Sequence, residues 1–245
     1  MQEPVVIIIG QGEIGGPLTT ILSTTYRCMA VDIEPVEVRQ SCSVMHVCYP
    51  FQIADFVGTT AEYVRKYRPE LVVINSTVVP GTTRKVAEAS GVRVVYSPVR
   101  GKHRRMREDL MKYAKFVGGA EDAWVAAAEA HFASAGFKTA RFPSAEAGEL
   151  AKLVETTWLG VLVAFAQEAE RFAAESGAAY EDLRAFISEV DFLPHHIFPG
   201  VIGGHCVMPN IALLKQQFTS EMLDAIEQCN ERKKAAENSA VAVGR

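Results

Sequence analysis

The sequence has no CxxC pair, no basic leader and no apolar run long enough to cross a bilayer. Its five cysteines, Cys28, Cys42, Cys48, Cys206 and Cys229, are odd in number and irregular in spacing, which argues against a disulfide framework and against a zinc ribbon. A reducing, cytoplasmic setting is expected. The opening Met-Gln-Glu-Pro passes straight into Val5 to Ile9, without the basic region and cleavage site of a secretory signal. The longest later apolar stretch, Trp158 to Ala166, is flanked by Glu155 and Glu168 and is about half the length a spanning helix needs. No membrane partner is expected. Excess charge is scarce too: 25 Lys and Arg against 29 Asp and Glu leave a net charge of −4, which suggests no general affinity for nucleic acid.

What is present is an ordinary globular balance, 49% hydrophobic and 22% charged over 245 residues, long enough for one large domain or two modest ones. Largely apolar runs at Val5 to Ile9, Cys28 to Asp32, Ser43 to Cys48, Leu71 to Asn75 and Val92 to Tyr96 read as strands, with helical segments at Ile14 to Thr25, Ala54 to Tyr67 and Thr83 to Ser90 between them. Runs of this kind, rather than alternations, indicate a parallel sheet covered on both faces. A helix at Asp122 to Ala135 and a short strand at Lys138 to Phe142 complete an α/β, doubly wound parallel sheet over residues 1–143. From Ser144 the chain turns rich in alanine and glutamate. One long helix is expected over Ser144 to Ser176, capped by Ser144 and ended by Gly177. It would belong to a smaller all-helical domain, residues 144–245, with further helices at Tyr180 to Val190 and Ile211 to Glu237 around the glycine-rich loop Pro199 to Cys206.

Gly10-Gln11-Gly12-Glu13-Ile14-Gly15 is a GxGxxG that follows a strand and opens a helix, and Asp32 lies twenty residues beyond Gly12 at the end of the next strand. The first glycine permits the tight turn, the second lets a pyrophosphate approach the backbone, and the third brings helix and strand together. Helix N-terminal amides then face the phosphates. An acid at Asp32 accepts from ribose hydroxyls and repels a 2′-phosphate, so the pattern reads as a Rossmann site for NAD rather than NADP. Gly10, Gly12, Glu13, Ile14, Gly15, Asp32, Ile33, Pro50, Ser76 and Thr77 are the candidate cofactor-binding residues.

Further motifs stand beside this one: Asn75-Ser76-Thr77-Val78-Val79-Pro80-Gly81-Thr82-Thr83, Ala147-Gly148-Glu149-Leu150-Ala151-Lys152-Leu153, Ala164-Phe165-Ala166-Gln167-Glu168 and Gly203-Gly204-His205-Cys206. With them the chain resembles the UDP-glucose/GDP-mannose dehydrogenase family, over nearly its whole length. The resemblance implies a double oxidation of a sugar primary alcohol with two NAD, a cysteine capturing the aldehyde as a thiohemiacetal that becomes a thioester and is hydrolysed. By position Cys206 is that nucleophile, Lys152 the positive charge at the oxyanion, and Thr77 a residue near the nicotinamide and a water. Thr156 stands where the family has an asparagine that shares the oxyanion, Asn210 where it has an aspartate, and Val99 in Ser97-Pro98-Val99-Arg100 where it has a glutamate implicated in hydrolysis. The relatives also pair through the helix corresponding to Ser144 to Ser176, which implies a homodimer.

Two other functional readings remain open. One is an NAD-binding protein without turnover that acts as a regulatory or scaffold partner; the other is a dehydrogenase of a small non-nucleotide substrate. Loop histidines His195, His196 and His205 beside Cys206 lack zinc spacing, so no metal is expected. The basic run Arg100, Lys102, His103, Arg104, Arg105 and Arg107 reads as a solvated face, with Arg100 or Lys102 closest to a strand end.

Overall fold

The structure, a computed structural model, describes residues 3–33, 36–204 and 206–243. The chain divides into two compact units, Met1–Lys152 and Leu153–Arg245.

The first unit is built on a seven-stranded sheet of order β2-β1-β3-β4-β5-β6-β7. Its strands are β1 (Val5–Ile9), β2 (Cys28–Val31), β3 (Cys42–Val47), β4 (Leu71–Ile74), β5 (Arg93–Tyr96), β6 (Lys115–Gly119) and β7 (Thr139–Arg141). The helices between them are α1 (Gly15–Leu22), α2 (Phe56–Tyr67), α3 (Thr82–Ser90), α4 (Met106–Lys112) and α5 (Asp122–Ser134). Successive strand side chains point to opposite faces, and the two faces are covered by different helices. Val6, Ile8, Val73, Val95 and Val117 pack with Leu18 and Leu22 of α1 and Val125 and Phe132 of α5. Ile7, Ile9, Met45, Val72 and Ile74 pack with Phe56 and Val64 of α2 and Val86 of α3. This is the doubly wound arrangement that the β-branched runs imply, and it leaves every residue of β1 buried.

One strand departs from expectation. β1 to β5 are parallel, but β6 runs antiparallel to β5. Phe116-Val117-Gly118-Gly119 carries two glycines, which weaken a strand and hide it in a pattern search. The connection through α4 leaves β5 and re-enters at the same edge, because the Lys115 ammonium that opens β6 binds the carbonyl of Ser97, just past the end of β5.

α6 (Ala145–Glu175) begins in the first unit and runs into the second. Ser144 caps it, its hydroxyl accepting from the Ala147 N–H at 3.1 Å, and Gly177 ends it at φ +73 with Ala178 N–H bonded to the Ala173 carbonyl. The second unit adds α7 (Tyr180–Ile187), α8 (Val207–Lys215) and α9 (Glu221–Val243), packed around Leu153, Ile202, Ile211, Leu223 and Ile226. The single helix expected over Ile211 to Glu237 is two. The first stops at Lys215, and a new one starts where the Ser220 carbonyl accepts from Leu223 and Asp224, serine being a favoured helix start.

Candidate functional site

The loop from β1 to α1 is shaped by its glycines. Gly10 sits at φ +88, and a Cβ there would lie 2.8 Å from the Tyr49 nitrogen. A Cβ on Gly15 would lie 1.7 Å from the Gly10 carbonyl oxygen, so α1 can start against β1 only with glycine. Gly12 differs: a Cβ would meet nothing within 4 Å. Packing inside the chain therefore gives no reason for glycine at 12, and the open side of the loop is where a pyrophosphate would approach. Glu13 is exposed beside it, and Ile14 and Gly15 turn into α1. Asp32 is exposed immediately after β2, followed by Ile33 at 94% exposure, and Pro50 is exposed after β3. These residues lie at the carboxyl ends of β1, β2 and β3, the edge where α/β sheets bind ligands.

Ser76 and Thr77 follow β4 on the same edge. The Ser76 hydroxyl donates to the Tyr49 carbonyl at 2.6 Å, tying the end of β4 to the segment after β3. Thr77 is half-buried.

Two buried arrangements that the sequence does not single out hold this edge. In the first, the Lys115 ammonium donates to Asn75 Oδ1 at 3.0 Å, to the Ser97 carbonyl at 2.6 Å and to the Pro98 carbonyl at 3.1 Å. An ammonium has three protons and here has three acceptors. Because lysine only donates, Asn75 must present its oxygen to Lys115 and its NH2 to His46 Nδ1, 3.2 Å away. His46 then carries its proton on Nε2, which donates across 3.0 Å to His131 Nε2. Burial holds both imidazoles neutral, pulling His131 down to about 4 and His46 well below its ordinary value. Burial also lowers Lys115 to about 7, with Cys48 opposing and Lys152 and Arg100 adding to the effect. Burial pushes Cys48 up to about 12, marking it as an apolar filler.

In the second, Glu149 is fully buried and accepts from the Gly81 N–H at 2.6 Å, the Thr83 N–H at 2.7 Å and the Thr83 hydroxyl at 2.6 Å. The carboxylate caps α3 from another helix, a favourable place for negative charge. Burial nonetheless raises its pKa, against the three donors. It lies one turn before Lys152 on α6 and thereby links the helix carrying Lys152 to the segment that follows Ser76 and Thr77. Lys152 itself is half-buried. Arg100 is folded onto its own unit, donating to the Ala114 carbonyl at 2.8 Å and lying over the rings of Tyr113 and Phe116. Val99 is part of the hydrophobic core and offers no proton.

In the second unit Cys206 is half-buried and forms the N-cap of α8, its carbonyl accepting from the Asn210 N–H at 3.2 Å. Asn210 donates through Nδ2 to the Thr156 hydroxyl at 2.8 Å, and that hydroxyl donates to the Leu153 carbonyl at 3.0 Å. The structure thus pairs Thr156 with Asn210 one turn after Cys206. His205 lies outside the described residues; His195 and His196 are exposed. Among the described residues no group of three His, Cys, Asp or Glu side chains is placed to hold a metal ion, and no helix is long and apolar enough to cross a membrane. None of the five cysteines, all among the described residues, is joined in a disulfide.

A curated relative, the UDP-N-acetyl-D-mannosamine dehydrogenase of Pyrococcus horikoshii, is 30% identical over 159 residues, which is 60% of this chain and 38% of the relative. The sequence match thus spans well under half the relative's length. A solved structure of UDP-D-ManNAc dehydrogenase from Pyrococcus horikoshii superposes with a TM-score of 0.85 at 20% identity, covering 96% of this chain and 70% of that one. The UDP-N-acetyl-mannosamine dehydrogenase of Staphylococcus aureus superposes at 0.81 with 17% identity, covering 97% and 70%. Both share the fold. Residues 146–232 match the family model described as UDP-glucose/GDP-mannose dehydrogenase family, central domain.

Proposed function

We propose that this chain is an NAD-dependent dehydrogenase that oxidises an alcohol carbon of a nucleotide sugar, with Cys206 as the nucleophile that captures the aldehyde. The observation that carries the reading is the glycine loop: Gly10 and Gly15 are forced by close approach, while Gly12 faces open space, with Asp32 exposed at the end of the next strand. A loop serving only as a turn has no need of glycine at the open position. The name of the 30%-identical relative supplies the substrate class.

The backbone of Gly10 to Gly15 and the α1 N-terminus would hold the pyrophosphate, and Asp32 would accept from the ribose hydroxyls. Ile33 and Pro50 would flank the adenosine, and Ser76 and Thr77 the nicotinamide side. NAD supplies the hydride acceptor when bound. Lys152 would be the fixed positive charge for an oxygen that becomes anionic as the alcohol gives up its proton or as sulfur adds to the aldehyde carbon. The Cys206 sulfur would bond to the aldehyde carbon while the thiol proton passes to its oxygen, giving a thiohemiacetal; loss of the hydroxyl proton and of a second hydride, taken by a second NAD, would leave a thioester, and water would release the acid and return the thiol. Thr156 and Asn210 support the Cys206 segment.

The chain also works as a homodimer in this reading. Val154, Trp158, Phe165 and Phe172 are 51%, 62%, 66% and 48% exposed along α6, at spacings that put them on one stripe suited to a second helix. Light scattering of the protein checks this, with Trp158→Glu expected to give a monomer.

A second reading, NAD binding without turnover, is favoured by the burial of Val99 and by the Thr156–Asn210 bond, which uses the hydroxyl proton on the Leu153 carbonyl. One experiment separates the two. Purified protein is mixed with NAD and UDP-N-acetylmannosamine, and NADH formation is followed in wild type and Cys206→Ser. Two NADH per sugar, abolished in the variant, are expected; NAD binding without NADH from any UDP- or GDP-sugar would leave only the second reading.

A further inference from the structure

After α7 the chain runs from Ser188 to Gly204 without regular secondary structure, and most of its side chains up to Gly200 are exposed. A loop of this kind does not by itself keep a residue at its end in one place. Two residues near its end, Gly200 and Ile202, are nonetheless held by side chains of α6 and α9. Asn230 on α9, fully buried, accepts through Oδ1 from the Ile202 N–H at 2.7 Å and donates through Nδ2 to the Ile202 carbonyl at 2.9 Å. One carboxamide thus grips both backbone groups of a single residue. Gln167 on α6, 5% exposed, donates to the Gly200 carbonyl at 2.8 Å and reaches Asn230 Oδ1 at 3.4 Å. The Ile202 side chain completes the anchor in the unit's core.

We propose that Asn230 and Gln167 are positioning residues: they fix the backbone at Gly200 and Ile202 and thereby the position of Cys206, four residues beyond Ile202. The proposal rests on the reading of Cys206 as a nucleophile. Two features distinguish the pair from ordinary core polar groups. Asn230 places both ends of its amide on the loop, where a leucine would fill the same space without a hydrogen-bond requirement. Gln167 Oε1 is buried with no partner among the described residues, so this side chain spends its donor on the loop at the expense of its own acceptor. Neither residue has a proton to give a substrate in an acid–base step, so their effect is on where the sulfur stands.

The test measures Cys206 itself and needs no substrate. Alkylation by iodoacetamide is followed at Cys206 by mass spectrometry of digests of wild type, Asn230→Ala and Gln167→Leu, alongside a synthetic peptide of residues 199–210. Leu223→Ala, in the core of the same unit but off the loop, is the control for loss of stability. A held sulfur reacts at a rate different from the peptide's. Asn230→Ala, which removes two hydrogen bonds, is expected to bring the rate on the order of tenfold closer to the peptide's, Gln167→Leu to do so by a smaller factor, and Leu223→Ala to keep the wild-type rate. If Asn230→Ala does not fold, Gln167→Leu carries the same comparison. A folded Asn230→Ala or Gln167→Leu with the wild-type rate overturns the clamp while leaving Cys206 in its role. Wild-type protein reacting at the peptide's rate overturns the nucleophile reading and the clamp together.

Discussion

The Asn210 carboxamide donates to the Thr156 hydroxyl at 2.8 Å. Both residues occupy positions where the resemblance has other side chains, and here they are partners across α6 and α8, so the two departures form one local solution. If this is so, their effects on stability must be coupled. In a cycle of Thr156→Val, Asn210→Leu and the double variant, followed by urea unfolding, each single change removes the bond between the two side chains, and the double change costs less than the sum by about 1 kcal/mol. Strict additivity would show that the bond carries no weight.

The glycine loop offers a cleaner separation of structure from binding. Gly15→Ala drives a methyl into the Gly10 carbonyl, and both the melting temperature and NAD binding are expected to fall. Gly12→Ala meets nothing, so its stability should stay within about 0.5 kcal/mol of wild type while NAD affinity falls on the order of tenfold or more. Calorimetric titration with NAD checks both. Full affinity in Gly12→Ala would mean that no phosphate approaches there.

Acid should unfold the first unit through its imidazoles. Burial pulls His131 from 6.5 to about 4 and holds His46 well below its ordinary value. Between these limits the unfolded chain takes up a proton that the folded chain refuses, so stability falls as pH falls from about 6.5 toward 4. For His131 alone the loss is on the order of 3 kcal/mol by the bottom of that window. Denaturation midpoints at pH 7.5 and pH 5 should differ in wild type and differ less in His131→Gln. An equal drop in both would remove the argument.

Lys115→Met keeps the bulk and removes the three donors, leaving Asn75 Oδ1 and the Ser97 and Pro98 carbonyls unmet. Each buried orphan costs about 1–3 kcal/mol. A loss above roughly 3 kcal/mol is expected in chemical denaturation, and one below roughly 1 kcal/mol would contradict the assignment.

The parts of this fold that follow from repetition were legible in the sequence. The apolar runs marked β1 to β5, and the capping serine and terminal glycine bounded α6, because each rests on a pattern several residues long. β6 was hidden by Gly118 and Gly119, and the break at Ser220 by a segment with no glycine or proline. In the site, Gly10, Gly12, Gly15 and Asp32 announced themselves through spacing. Lys115, His46, Glu149 and Asn230 did not, since a buried polar residue looks like a surface one until its partners, 40 to 85 residues distant for Lys115–Asn75 and His46–His131, are brought beside it.

The row from Lys115 through Asn75 and His46 to His131 has a direction, each member giving a proton to the next. Such a row behaves like a one-way street: reversing any junction sets two donors or two acceptors face to face. A replacement at one member is tolerated only if its neighbour changes with it, so these four positions should drift in company rather than singly.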